Sequence, residues 1–165
     1  PGGYAVKRKI LLPRKVPSLI GAAMVVKREV MEALQGFDER FFFFLEETDL
    51  CVRARDKGYE VILFPDAKVV HLQGKTVGAT WLNGRLEYTI SLNKFIKKHH
   101  GSCYAFTYGL IRFVKHCLSA AALSSVAFLA TGEGAKRRRL YHLEACRWYL
   151  QGCPENAGLR AMNQE

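Results

Sequence analysis

Residues 36–50 read GFDERFFFFLEETDL, so that a run of four phenylalanines and a leucine leads directly into a cluster of acids. From residue 46 to residue 57 the pattern is helical, with Leu50 and Ala54 on one face and Gly58 as a stop. Carboxylates at the start of a helix are favoured by the helix dipole. Glu46 and Asp49, three residues apart, can share a face. The sequence therefore predicts an acidic helix start directly after an aromatic block.

Two interpretations of these acids remain open. In the ordinary one they are helix N-terminal charges, and Asp49 pairs with Arg53 four residues later. In the functional one, carboxylates held beside apolar rings lose solvation and their pKa values rise. A carboxylate with a raised pKa is a useful general base.

The flanking sequence predicts short strands alternating with helices. Residues 20–26 are apolar on both faces and predict a short buried strand, and residues 28–34 predict a short helix that Gly36 ends. Two β-branched segments, 61–64 and 68–72, are separated by a Pro-Asp turn signal. The first half is therefore expected to be an α/β arrangement.

The second half is expected to be helical. Its predicted segments are 83–99, the long apolar stretch 103–131 and the basic, aromatic stretch 136–150. Residues 117–131 carry no charged side chain, but 15 residues fall short of the ~20 that span a bilayer. Two interpretations remain open: a helix hairpin that packs on its own domain or on a second copy, and an interfacial helix beside anionic lipid.

Composition restricts the class of protein. A chain of 165 residues that is 49% hydrophobic and 24% charged is globular, and its length suits one domain or a large part of one. Its net charge of +10 favours anionic partners. Ten of the fifteen acids lie within residues 29–66, and this acidic centre disfavours a nucleic-acid binder. Five cysteines without a CxxC pair predict no zinc site and no disulfide framework, which favours a reducing compartment.

A candidate phosphate-binding set follows the second β-segment. His71 ends that segment and leads into a glycine-containing loop, where Lys75, Thr76 and later Arg85 can hold phosphate oxygens. A lone histidine at a strand end is more often structural. Imidazole can also bind a divalent cation, and Mn²⁺ accepts nitrogen more readily than Mg²⁺ does. His71 is therefore a candidate for both the diphosphate and a metal ion.

Several strings in this order and spacing resemble one family. They are GAAMVVKR at 21–28, GFDE-x-FF at 36–42, EE-x-DL-x-x-R at 46–53, GY at 58–59 and P-x-A-x-V-x-H at 65–71. Together they resemble the C-terminal half of family 2 glycosyltransferases, in the style of the rhamnosyltransferase-like enzymes of bacterial polysaccharide assembly. The resemblance covers about residues 18–100, and residues 101–152 resemble the helical tail of such enzymes only loosely.

The resemblance implies a GT-A fold, a Rossmann-like α/β sheet that binds a nucleotide-sugar and usually a divalent metal, Mg²⁺ or Mn²⁺. Glu47 falls at the position of the family's catalytic base, the second acid of a pair with Glu46. The base deprotonates an acceptor hydroxyl for in-line attack at the anomeric carbon, with inversion. Asp49 and Arg53 match the same helix and would orient the base, and His71 matches the position nearest the metal or the donor diphosphate.

Two departures accompany the resemblance. The family usually has Asp where this chain has Glu47, and no nucleotide-binding strands or Asp-x-Asp motif occur before residue 20. We therefore expect a partial GT-A half-domain and an incomplete enzyme, inactive by itself. Its expected parts are a basic linker (1–19), the acceptor-side half (20–100), a helical region (101–152) and a tail (153–165).

The expected partners are a nucleotide-sugar donor, a saccharide or lipid-linked acceptor, and an anionic membrane surface or a second copy of the chain, with no nucleic acid. The expected location is cytoplasmic, peripheral at the inner face of the cell membrane. The alternative is a non-catalytic module for a membrane surface or a protein partner, and it is favoured by the +10 charge and the basic, apolar C-terminal region.

Overall fold

The computed structural model describes residues 12–71, 80–126 and 132–162. In these ranges the chain is mainly helical, with one short antiparallel strand pair, so it is α/β only in the broad sense. The elements are β1 (Arg14–Lys15), α1 (Arg28–Ala33), α2 (Glu46–Asp56), β2 (Ile62–Leu63), α3 (Trp81–His100), α4 (Ser102–Ser125), α5 (Glu133–Leu150) and α6 (Leu159–Met162).

The described residues fall into two compact units. The first contains residues 12–38 and 46–71, and the second contains residues 39–45, 80–126 and 132–162. The domain boundaries expected from the sequence stay a prediction.

The first unit is held by a small apolar cluster and a strand pair. Leu34, Leu50 and Ala54 are buried where α1 and α2 pack, which is the face that the helical periodicity predicts. In the strand pair Arg14 lies opposite Leu63, and the ladder continues as the Val16 N–H donates to the Val61 carbonyl at 2.9 Å.

The strand predicted over residues 20–26 is wrong. The chain turns at residues 21–22 and then runs without helix or strand to α1. Met24 and Val26 pack against the apolar cluster, whereas Val25 between them is fully exposed. The segment thus buries one face only, and in the described part of the chain it has no ladder partner. β-Structure needs a partner strand, which an apolar run cannot supply by itself.

The other predicted strands are also shorter than expected. The strand over residues 61–64 is confirmed only at Ile62–Leu63. Residues 68–71 are exposed and form no strand, so the strand over 68–72 is wrong in its described part, and Leu72 lies outside the described residues. The helices over 28–34 and 46–57 are confirmed to within one residue.

Arg53 joins α2 to the end of α1. Its Nε donates to Oδ2 of Asp49 at 2.7 Å, which confirms the predicted ion pair. Its other nitrogens donate to the carbonyls of Leu34 at 2.6 Å and Gly36 at 2.8 Å. These carbonyls lie just past the end of α1, where backbone oxygens lack helical partners. The guanidinium thus fixes the short helix against the helix that carries the candidate acids.

The second unit is a packed set of long helices with polar contacts inside. Leu86, Ile90 and Trp148 form its apolar cluster. Near them the Thr89 and Tyr141 hydroxyls lie 3.0 Å apart. The predicted helices are confirmed and extended: 83–99 to Trp81–His100 and 136–150 to Glu133–Leu150, while 103–131 is helical over Ser102–Ser125. Residues 127–131 lie outside the described ranges.

None of the helices that the structure describes combines the length and apolar character needed to cross a membrane.

The C-terminal segment is ordered by a contact that its own sequence does not predict. Beyond Gly152 the sequence has little pattern, yet Leu159–Met162 forms α6. Oε2 of the buried Glu87 in α3 accepts the backbone N–H groups of Leu159 at 3.1 Å and Arg160 at 3.4 Å. These N–H groups lie at the start of a helix and have no helical acceptor. Glu87, more than 70 positions earlier in the sequence, supplies one.

We expect Arg53→Met to lower the free energy of unfolding by about 3–5 kcal/mol, because it leaves the buried Asp49 carboxylate without its guanidinium. The double variant Asp49→Leu/Arg53→Met removes the uncompensated charge and should recover part of that loss. Urea unfolding followed by circular dichroism measures both. Equal losses in the single and double variants would show that the buried charge is not the cause.

We also expect acid to destabilise the second unit through His116. Burial, followed by the charges of Arg112, His142, Lys115 and Arg85, lowers the pKa of His116 from 6.5 to about 4. The stability due to its neutral ring is therefore present above pH 6.5 and lost as pH falls towards 4, by up to about 3 kcal/mol. Urea unfolding at several pH values should show a shallower acid decline in His116→Phe. The same decline in both proteins would contradict this assignment.

Candidate functional site

The candidate acids stand at the first turn of α2, after two residues in an unusual backbone conformation. Glu46 and Glu47 open the helix, and both Phe44 and Leu45 before them have φ of +68°. Residues other than glycine adopt this left-handed region at a cost of about 1–3 kcal/mol. Such strain clusters at functional sites, so the start of α2 is a candidate for one.

Each of the two glutamates has a buried carboxylate oxygen without a partner. Oε2 of Glu46 and Oε2 of Glu47 are inaccessible and have no hydrogen bond in the part of the chain that the structure describes. Burial raises the pKa of Glu46 above its usual 4.5, the negative charge of Glu47 raises it further, and a backbone hydrogen bond at Glu46 opposes the rise. Buried oxygens of this kind can accept a hydrogen bond or a proton from a bound molecule.

Gly21 lies beside Glu47, although the sequence singled it out only as part of a longer string. A Cβ built on Gly21 would lie 3.6 Å from Cβ, Cγ and Cδ of Glu47. A Cβ there would be in ordinary van der Waals contact with Glu47, so the Gly21 backbone packs closely beside this side chain. The small residues at 21–23 are the only signal in the sequence for this contact.

Asp49 differs from the two glutamates in its surroundings. It is completely buried and bound by Arg53. Arg53 in turn holds the carbonyls that follow α1. This geometry suits a role in which Asp49 and Arg53 hold α2 in place. It is less suited to direct contact with a substrate. The predicted catalytic role of Asp49 and orienting role of Arg53 stay predictions.

The candidate phosphate-binding residues are distributed over both units. His71 is exposed at the end of the described part of the first unit. Arg85 lies on α3 in the second unit, with its guanidinium 4.7 Å from the Tyr141 ring centre and 5.3 Å from that of Trp81. Lys75 and Thr76 lie outside the described residues. That these four residues bind one diphosphate stays a prediction.

A metal site is not formed by the residues that are described. Within residues 12–71, 80–126 and 132–162, no group of three or more His, Cys, Asp or Glu side chains is placed to hold a metal ion. The expected Mg²⁺ or Mn²⁺ site at His71 stays a prediction.

The first unit also contains an apolar cleft of about 380 Å³. It opens onto the cluster of Leu34, Leu50 and Ala54, and Lys27 and Glu60 are among its polar lining residues. None of the candidate site residues lines it. Its lining suits contact with an apolar group rather than acid–base chemistry.

The aromatic block before α2 is packed inside the second unit. The Phe43 and Phe44 rings meet edge to face at 4.6 Å between centres, and Phe44 meets Tyr88 in the same way at 5.7 Å. The Phe43 carbonyl accepts the Ser91 hydroxyl at 2.7 Å, and the Arg40 carbonyl accepts the Lys94 ammonium at 3.0 Å. These contacts anchor residues 40–44 to α3.

Comparison with known proteins gives one kind of relative. Eighty residues of the chain are 34% identical to the N-acetylglucosaminyl-diphospho-decaprenol L-rhamnosyltransferase of Mycobacterium tuberculosis, in strains CDC 1551 / Oshkosh and ATCC 25618 / H37Rv. The match takes in 47% of this chain and 26% of each relative, so it spans about a quarter of the relatives' length.

No family model matches the chain. No solved structure matches it either, so the GT-A fold stays a prediction. The partial similarity supports a relationship to glycosyltransferases at this coarse level.

Proposed function

We propose that residues 20–100 are the acceptor-side half of an inverting glycosyltransferase of family 2 type, built as part of a GT-A fold. The enzyme transfers a sugar from a nucleotide-diphosphate sugar to a hydroxyl of a saccharide or lipid-linked acceptor. Its similarity to a rhamnosyltransferase supports this class of reaction. A deoxyhexose such as rhamnose is the donor sugar that the similarity favours.

The observation that carries the proposal is the pair of buried, unpartnered carboxylate oxygens at the start of α2. An ionised carboxylate oxygen removed from water needs a hydrogen-bond donor. The hydroxyl of an acceptor sugar is such a donor, and Gly21 puts no side chain against Glu47. The pair therefore suits recognition and deprotonation of a hydroxyl.

In the proposed reaction Glu47 takes the proton of the acceptor hydroxyl. The freed oxygen forms a bond to the anomeric carbon from the side opposite the diphosphate. The bond between that carbon and the diphosphate oxygen breaks, and its electron pair leaves with the nucleoside diphosphate. Glu46 carries the first carboxylate of the pair, and Asp49 with Arg53 holds the helix in position.

The donor side of the proposal rests on the family resemblance. His71, Lys75, Thr76 and Arg85 are proposed to bind the diphosphate, since cations and hydroxyls suit phosphate oxygens. The Mg²⁺ or Mn²⁺ ion that the resemblance implies would neutralise charge on the leaving diphosphate, and His71 is its proposed ligand.

In the full coding sequence that contains these residues, Glu47→Gln should lower kcat by about 10²–10⁴-fold, because the amide cannot accept the proton. The KM for the donor should change little, since Glu47 faces the acceptor in this scheme. Release of nucleoside diphosphate is the measurement. Glu47→Asp should keep measurable activity, because it restores the carboxylate that the family usually has.

Glu32→Gln is the matched control. It removes an exposed carboxylate of the same unit, one that pairs with Arg28, and should leave turnover unchanged. Unchanged turnover in a folded Glu47→Gln protein would remove Glu47 from the mechanism. An equal loss in the Gln and Asp variants would assign Glu47 a role other than that of base.

The same variant tests the electrostatics of the pair. The charge of Glu47 is one cause of the raised pKa of Glu46, so Glu47→Gln should lower that pKa. Burial is the larger cause, so the pKa should stay above 4.5. Carboxyl ¹³C NMR titration of Glu46 in both proteins measures the difference. An unchanged pKa would show that the two carboxylates do not interact.

A further inference from the structure

The polarity of α4 is inverted relative to that of an ordinary surface helix. Its side facing the other helices carries Arg112 and His116, whose Nε and Nε2 atoms are buried and unpartnered in the described part of the chain. Its opposite side exposes large apolar side chains at three- and four-residue spacing, which places them on one face. This α4 apolar face consists of Tyr104, Phe106, Leu110, Ile111, Val114 and Leu118.

The exposure of this face is large. Phe106 is 75% exposed, Leu118 66% and Ile111 63%. The face runs over four turns of helix, about 20 Å, and Lys115 at its border is the one exposed Lys or Arg in the described helix α4. Continuous exposed apolar surface of this size marks an interaction site.

An apolar groove extends the face towards α5. The groove has a volume of about 280 Å³ and is lined by Phe106 and Leu110 of the face together with Leu150 of α5. Leu150 is 76% exposed. The apolar surface therefore continues across two helices, and the groove can take an apolar chain.

Cations outnumber acids in the unit that carries this surface. The described part of the second unit has thirteen Lys and Arg against five Asp and Glu, whereas that of the first has eight against nine. Lys97 lies in the last turn of α3, shortly before α4 begins. The contacts Gly109–Tyr149 and His116–Tyr141 show that α4 and α5 run antiparallel, so residues 136–138 at the start of α5 lie towards the C-terminal end of α4.

This combination decides between the two occupants that the sequence left open. A second copy would bring one strongly basic unit against another, and their like charges would repel. An anionic bilayer accepts the apolar face into its interface and attracts the flanking cations to its headgroups. We propose that the α4 apolar face is a docking surface for an anionic phospholipid bilayer, with α4 lying along the membrane plane.

The sequence placed the interfacial alternative in the apolar stretch 103–131, whereas the structure assigns the contact to one face of α4. The proposal does not depend on the proposed function, because vesicle binding is measured without a sugar donor. A negative result for vesicle binding therefore leaves the proposed sugar transfer untouched, and a negative result for sugar transfer leaves the docking proposal untouched.

The experiment is co-sedimentation of the 165-residue chain with vesicles of phosphatidylcholine, with or without phosphatidylglycerol. We expect at least tenfold tighter binding to the anionic vesicles. The variant Phe106→Gln/Leu110→Gln/Ile111→Gln/Leu118→Gln should lose at least tenfold of that affinity. The matched control, Leu12→Gln/Ile20→Gln/Val69→Gln/Val70→Gln, removes four apolar side chains that are 60–87% exposed in the first unit and should bind like the parent.

Charge is tested separately. Replacing Lys97, Lys115, Arg137 and Arg138 by Gln should weaken binding to anionic vesicles at least tenfold, and raising salt to about 0.5 M should weaken the parent, because salt screens exposed charges. Circular dichroism verifies that each variant keeps the helix content of the parent.

Several results would overturn the proposal. They are equal binding by the parent and a folded α4 variant, equal binding of the parent to neutral and anionic vesicles, and absence of vesicle binding by the parent. Light scattering tests the other possible occupant of the face, which is a second copy of the chain. A dimer that the α4 variant converts to a monomer, without vesicle binding by either protein, would assign the face to a second copy.

Discussion

The first unit depends on one guanidinium. Arg53 binds a completely buried carboxylate, Asp49, and at the same time two carbonyls beyond the end of α1. A buried carboxylate without a partner would be strongly unfavourable, so this contact ties the stability of α2 to the position of α1. Glu46 and Glu47 open the same helix, three and two residues before Asp49, and their direction follows from it. The scaffold and the candidate chemistry therefore share one electrostatic anchor.

The two units bury polar groups in different ways. In the first unit Asp49 is paired with Arg53, while Glu46 and Glu47 at the helix start each keep one oxygen without a partner among the described residues. In the second unit the buried polar groups lie inside the helix packing, where desolvation lowers the pKa of His116. The apolar residues of α4 are left outside. Buried carboxylate oxygens without hydrogen-bond partners are suited to binding a small polar molecule. An apolar face bordered by cations is suited to binding a lipid surface.

The proposed sugar transfer and the proposed membrane docking do not depend on each other. The similarity to a rhamnosyltransferase and the buried glutamate pair both support sugar transfer, the first from sequence and the second from burial. The apolar cleft behind α2 is separate from the candidate acids and is an opening into the core of the first unit.

The sequence by itself determined the helices, because helical hydrogen bonds join residues four apart and the apolar period is local. It also determined the Asp49–Arg53 pair, whose members are one turn apart on α2. Tertiary structure decided the strands, since a ladder needs a partner far along the chain, and residues 20–26 have none in the described part. It decided α6 as well, because Glu87 supplies the acceptor for its first N–H groups.

Burial is likewise a tertiary property. The sequence predicts that Asp49 pairs with Arg53, but only the folded chain shows that one oxygen each of Glu46 and Glu47 is buried without a partner among the described residues. Only the packing of α4 against its neighbours turns Arg112 inwards and Phe106 outwards. The helical period shows that a helix has two faces, but which face is buried depends on what the rest of the chain presents to it.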